Sequence, residues 1–302
     1  MWKPIAAMAG VWMAAATASA TAPGTLVSAQ AMEAAPEGAR AWRIRYWTRD
    51  HRGQPTQSTG MLIAPAGAGT DRPVVAWQHG TVGVSEACAV SLAPYRFTQV
   101  PGLAAMLARG WVVVATDYPG LGTSGPHAYL DPDSAGHAAL DAVAAAGAVP
   151  EAGAGRRFAL WGHSQGGHAS LAAAERARAG LPGHELVAVA AASPPTDLPA
   201  NFAAADPAVR SFLSSFAAAS WERAFGMPLA PLGNRTTRTL VRKIGARCEG
   251  DPQSFITKVD VVRLLYRLRN VNIAETDPWA ARVAASAVGN RPVQVPMLVS
   301  QG

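Results

Sequence analysis

The sequence predicts an α/β protein built on a mostly parallel sheet flanked by helices. Short unbroken apolar runs recur at residues 73–78, 111–116, 158–161 and 186–192, the pattern of strands buried on both faces. Stretches with helical spacing lie between them at 100–109, 134–146 and 167–179. Strand and helix in alternation are the signature of a parallel sheet. With 302 residues, 49% of them hydrophobic and 15% charged, the chain suffices for one large domain or for a domain with an inserted subdomain.

The elements follow in order. Residues 1–20 carry one early charge, Lys3, then an apolar run ending in Ala18-Ser19-Ala20. That is the layout of a signal peptide with an A-x-A cleavage site, and it predicts a secreted or periplasmic protein. A retained anchor is the alternative, and cleavage after Ala22 or Ala29 fits as well. Residues 41–47 alternate, with Trp42, Ile44 and Tyr46 on one face and Arg43 and Arg45 on the other. Residues 58–64 pair with them across a turn at 50–53. The run 73–78 ends at His79-Gly80, the helix 100–109 at Gly110, and the strand 111–116 at Asp117-Tyr118-Pro119-Gly120. Ser134 is the expected N-cap of the helix 134–146. Gly180 stops the helix 167–179, and 295–300 is the last strand.

Between 199 and 292 the alternation breaks. Phe212, Phe216, Trp221 and Phe225 form one helical stripe, and Val261, Leu264, Leu265 and Leu268 form a second. The block reads as a helical cap or lid inserted after a core of residues 21–198, with the chain re-entering the sheet over 293–302. Its aromatics are expected to pack the insertion itself.

The formal charge of +6 comes from 26 Lys and Arg against 20 Asp and Glu. Outside 235–247 no dense basic run occurs, so a solvated surface is expected and no nucleic-acid partner. Cys88 and Cys248 are the only cysteines. In an exported chain such a pair suggests one disulfide, with two buried thiols as the alternative. No metal-ligand spacing or phosphate-binding glycine loop is present, so neither metal nor cofactor is expected.

The chemistry is carried by Gly162-His163-Ser164-Gln165-Gly166-Gly167, a G-x-S-x-G motif with a strand before it and a helix after it. A sharp strand-to-helix turn of this kind strains its serine and leaves no room for side chains at 162 and 166. Ser164 is therefore the expected catalytic nucleophile. The N–H of Gln165 and that of Thr81 are the expected oxyanion donors, with Gly80 as the alternative to Thr81. His79 is expected to brace its loop and not to act as a base.

The chain resembles the secretory lipases, the lipase-A-like branch of the α/β-hydrolase superfamily. The resemblance rests on Trp77-Gln78-His79-Gly80-Thr81, on the run from Gly110-Trp111 into Asp117-Tyr118-Pro119-Gly120-Leu121-Gly122, on 162–169, and on Ser193-Pro194-Pro195-Thr196-Asp197-Leu198. It implies a helical cap over an acyl-binding tunnel and hydrolysis of acylglycerols or simpler carboxylic esters. It also implies a disulfide between Cys88 and Cys248.

The triad of this fold runs in the order serine, acid, histidine. His51, His79, His127, His137, His163, His168 and His184 are the only histidines, and none lies where the base belongs. Asp197 is a weak candidate for the acid, because its setting suits a turn into the cap; Asp117 and Asp141 are expected to be structural. The sequence-level expectation is a chain that lacks its C-terminal strand and helix, with acid and histidine beyond residue 302. Ser164 would then be weakly nucleophilic, and a sheet edge would be exposed. The leading reading is a serine hydrolase acting on small-molecule or lipid esters, with a lipid–water interface as a further partner. A peptidase of the same fold and a catalytically silent binding protein are the alternatives.

Overall fold

In the computed structural model the described residues are 21–248 and 255–301. The expected signal peptide over 1–20 lies outside them. The core elements are β1 (Leu26–Ala31), β2 (Ala39–Arg49), β3 (Pro55–Pro65), β4 (Arg72–Gln78), α1 (Leu103–Ala108), β5 (Val112–Thr116), α2 (Pro132–Gly147), β6 (Ala154–His163), α3 (Gln165–Ala174), α4 (Ala177–Gly180) and β7 (Glu185–Ala192). The helices α5 (Leu198–Ala204), α6 (Pro207–Phe225), α7 (Arg235–Gly245), α8 (Phe255–Leu268) and α9 (Trp279–Ala285) follow, and then β8 (Met297–Ser300).

The strands form one sheet in the order β1-β2-β3-β5-β4-β6-β7-β8. The ladders are antiparallel from β1 to β3 and between β3 and β5, and parallel from β5 through β4, β6 and β7 to β8. Every residue of β5 is buried, which accounts for its unbroken apolar sequence. In β2, Trp42, Ile44 and Tyr46 are buried while Arg43 and Arg45 are half-buried, so the alternation follows the pleat. Leu103 and Met106 of α1 pack on the face of Val75 and Val113. Leu140 of α2 and Leu171 of α3 pack on the opposite face, against Val74, Val114 and Phe158.

The structure corrects three sequence expectations. First, Asp131 and not Ser134 caps α2: its carboxylate accepts the Ser134 N–H at 2.8 Å. Pro132 then occupies the first turn, where its missing N–H costs nothing. Second, the helix expected over 167–179 is two helices. At the break, Arg176 donates to Ala172 O at 2.7 Å, while the Glu175 carboxylate accepts the N–H groups of Gly289 and Asn290 at 2.7 and 2.8 Å. Third, β1 adds an unexpected edge strand, with Ala29 opposite Ile44. Cleavage after Ala29 would remove most of it, whereas cleavage before residue 26 leaves it whole.

The five helices after β7 share a second core in which Phe202, Phe216, Trp221, Leu264 and Trp279 are buried. The Trp221 and Trp279 rings stack at 5.9 Å. This block is fastened to the sheet domain by specific bonds. Trp221 Nε1 donates to Tyr129 O at 2.7 Å, and Ser220 Oγ donates to His127 O at 2.6 Å. His168 Nε2–H reaches Ser286 O at 2.7 Å. Cys88 and Cys248 form a disulfide that joins the loop after β4 to the segment after α7.

Candidate active site

Strand order fixes where chemistry can sit. β4 and β6 are neighbours, with Gln78 opposite Gly162. The chain leaves β4 towards α1 on one face and leaves β6 into α3 on the other. Loops that part in this way open a crevice at the carboxyl ends of the two strands. Ser164 follows β6 into that crevice, and His79-Gly80-Thr81 follows β4.

Ser164 has φ 55 and ψ −119, a positive-φ conformation outside the left-handed helical basin and disfavoured for a residue with a Cβ. Two backbone bonds hold it: Ser164 N–H to Ala192 O at 2.8 Å and His168 N–H to Ser164 O at 3.0 Å. The flanking glycines are steric necessities. A Cβ on Gly162 would stand 2.1 Å from Gly166 O, and one on Gly166 would stand 1.9 Å from Gln78 O. The second contact shows how tightly the turn is pressed against the end of β4. A Cβ on Gly80 would lie 3.8 Å from Ser164 Cβ, so the loop after β4 passes directly beside the serine.

The expected oxyanion residues converge here. Gln165 opens α3, and a first-turn N–H has no acceptor within its own helix. Its side chain is buried, and its Nε2 donates to His127 Nε2 at 3.0 Å. Thr81 Oγ1 and the Tyr129 hydroxyl share a hydrogen bond of 2.7 Å. Both positions are thus tied to one loop, 127–129, which α6 in turn holds. The lone sign of this loop in the sequence is a His and a Tyr in a short run without strand or helix period. Their partners Gln165 and Thr81 lie too far along the chain for spacing to reveal them.

His79 Nδ1–H donates to Gly80 O at 2.6 Å, and burial lowers its pKa. His127 Nδ1–H donates to Pro119 O at 3.1 Å. Burial lowers the pKa of His127 to about 4, and that of His168 likewise to about 4. The buried rings near the crevice are therefore neutral at neutral pH. Asp117 accepts from Thr59 Oγ1 at 2.8 Å and from Ser91 N–H at 2.8 Å, deep in the core. Asp197 is exposed and caps α5, accepting the Ala200 N–H at 3.0 Å. All seven histidines are among the described residues, and none of their imidazole rings is hydrogen-bonded to Ser164. Among the described residues no group of three or more His, Cys, Asp or Glu side chains could hold a metal ion.

A model of the secretory lipase family matches residues 98–251, just over half of the chain. The chain belongs to the secretory lipase family. A probable inactive lipase of Mycobacterium tuberculosis is 29% identical to it over 203 residues, which are 60% of this chain and 44% of that one. The chain thus spans less than half the length of the curated relative it matches. The rice cell wall degrading esterase LipA from Xanthomonas oryzae superposes with a TM-score of 0.73 at 23% identity, covering 92% of this chain and 82% of that one. Candida antarctica lipase A does so with a TM-score of 0.69 at 17% identity, covering 92% and 69%. The fold is that of the α/β-hydrolases.

In this secretory-lipase chain the segment 98–251 includes the serine turn and the 127–129 loop. The loop 79–81 lies before it, and its place beside Ser164 comes from the parallel pairing of β4 with β6.

Proposed function

We propose that the chain is an exported carboxylic-ester hydrolase of the lipase and esterase kind, with Ser164 as its nucleophile. The observation that carries this reading is the strained serine at φ 55, mounted between β6 and α3 with the backbone of Gly80 against it. Strain of this kind persists only where the surroundings enforce it. In the reaction, Ser164 Oγ attacks the ester carbonyl and its proton passes to a base. The oxyanion is held by the N–H of Gln165 and by that of Thr81 or Gly80. The alcohol leaves, and water then cleaves the serine ester, releasing the acid and restoring the hydroxyl.

The base is the part the described residues do not supply, since no imidazole is hydrogen-bonded to Ser164. A test follows from this. The 302-residue protein should hydrolyse a short-chain p-nitrophenyl ester slowly, and added imidazole should raise the rate by standing in as the base. Ser164→Ala should abolish that enzyme-dependent increase, leaving only the reaction of imidazole itself. Equal rates for wild type and Ser164→Ala at every imidazole concentration would overturn the assignment.

A second reading is a hydrolase scaffold that binds esters without turning them over. The name of the mycobacterial relative, a probable inactive lipase, points the same way. Ester binding without a Ser164-dependent response to imidazole would select this second reading.

A further inference from the structure

The net charge of +6 is not spread over the molecule. Residues 199–292 hold thirteen of the 26 Lys and Arg but only seven of the 20 Asp and Glu, so this block carries the entire excess. Its helices α6, α7 and α8 pack on one another through Phe216, Val241 and Leu264; α6 is enclosed along its middle, and α7 and α8 turn their other sides outwards. On α7, Leu240, Val241 and Ile244 are buried while Arg235, Arg242 and Lys243 are exposed. On α8, Leu264 and Leu268 are fully buried while Arg263 and Arg267 are exposed.

Apolar side chains stand among these cations. Val262 is 65% exposed and Tyr266, one turn further along α8, is 64% exposed. The Arg269 guanidinium lies 3.7 Å from the centre of the Tyr266 ring. The helices are stitched together: Lys243 of α7 and Arg263 of α8 share Asp260, and Arg210 of α6 donates to Arg269 O at 3.2 Å. Two carboxylates of this side are already engaged, Asp260 by that pair and Glu222 by Arg242 at 2.5 Å. What faces outwards is a positive surface with apolar side chains set into it.

A face that only meets water needs neither exposed valine nor charge of one sign. Basic side chains around projecting apolar ones are the composition of a surface that lies on anionic lipid. We propose that the outer surface of α7 and α8 docks on an anionic lipid–water interface. Its arginines would meet the headgroup phosphates, while Val262 and Tyr266 enter the acyl boundary. The purpose of such docking rests on the ester-hydrolase reading, since an enzyme held there meets lipid esters; the docking itself needs no turnover.

The test is sedimentation of the 302-residue protein with phosphatidylcholine vesicles, with and without phosphatidylglycerol. Partitioning onto the anionic vesicles should exceed that onto the neutral ones and fall as salt is raised. Combining Arg235→Gln, Arg267→Gln and Arg269→Gln should weaken it roughly a hundred-fold, about five-fold for each basic side chain near the surface. Val262→Ser with Tyr266→Ser should weaken it about ten-fold or more while leaving the salt dependence unchanged. Residues 1–20 are common to all the proteins compared, so they cannot create these differences. Equal partitioning onto both vesicle types, no loss in the triple variant, or preference for duplex DNA at the same salt would overturn the proposal. Because no turnover is read, Ser164→Ala should partition as wild type does. A failure here therefore leaves the ester reading standing, and a failed imidazole test leaves the docking standing.

Discussion

Holding an L-residue in the strained positive-φ conformation of Ser164 costs about 1–3 kcal/mol, and glycines on both sides make the turn sterically passable. Gly166 is the stricter of the two, because its missing Cβ would stand 1.9 Å from the carbonyl oxygen of Gln78. Gly166→Ala must therefore push the turn away from β4. A stability loss of about 3 kcal/mol or more is expected, read as a lower urea midpoint. Asp141 is a second residue with a definite signature. Burial raises its pKa to about 7, with the Thr48 hydroxyl and the Arg49 charge pulling only partly the other way. A carboxyl whose pKa is raised on folding stabilises the native state below its unfolded value, near 4, and loses that contribution as pH climbs towards 7. Stability measured by denaturant should thus fall by a few kcal/mol between about pH 4 and pH 8 on account of this group. Asp141→Asn should flatten that fall and be the more stable protein at pH 8.

At the scale of elements, Asp131 has two tasks. It caps α2 through Ser134 N–H, and its other oxygen meets Arg282 Nη2 of α9 at 2.7 Å. Arg282 lies over the Phe225 ring at 4.2 Å, so α9, α6 and the start of α2 meet at one point. Removing the carboxylate leaves a largely enclosed guanidinium without its partner. Asp131→Ala is expected to cost about 3–5 kcal/mol, combining the lost cap with the stranded charge. Asp131→Asn keeps a capping oxygen and should cost less. Equal destabilisation by the two variants in urea titrations would mean that the charge contributes nothing. His168 ties α3 to the segment after α9 in a similar way, through a neutral ring that donates to Ser286 O.

Over the whole molecule, the sheet domain and the helical block are linked covalently as well as by packing. The Cys88–Cys248 bridge spans 160 residues of sequence. Closing so long a loop removes much chain entropy from the unfolded state, by about 5 kcal/mol in the chain-entropy model. The double variant Cys88→Ser with Cys248→Ser should lose about 2–5 kcal/mol of stability, and reducing agent should shift the wild-type urea midpoint but not that of the variant. The bridge fastens the segment after α7 beside Gly83 in the loop that leads from the candidate oxyanion residues, so its loss should also loosen that loop.

The sequence by itself determined the layers of the sheet and the place of the serine. Burial on both faces leaves unbroken apolar runs, as in β4 and β5, and the serine turn excludes side chains at 162 and 166 for steric reasons local to it. β1 left no such mark, because an edge strand with only two of its six residues half-buried, Leu26 and Ser28, carries little hydrophobic pattern. Asp131 and Pro132 displaced Ser134 as the start of α2, a choice fixed in part by an arginine more than a hundred residues away. Only the tertiary structure joined Gln165 to His127 and Thr81 to Tyr129, since those pairs are made by the parallel sheet and the α6 contact. The charge excess already lay within residues 199–292 of the sequence, but only the fold decided that its cations on α7 and α8 face outwards. Local sterics and periodicity can be read from a chain; which distant groups a fold brings together cannot.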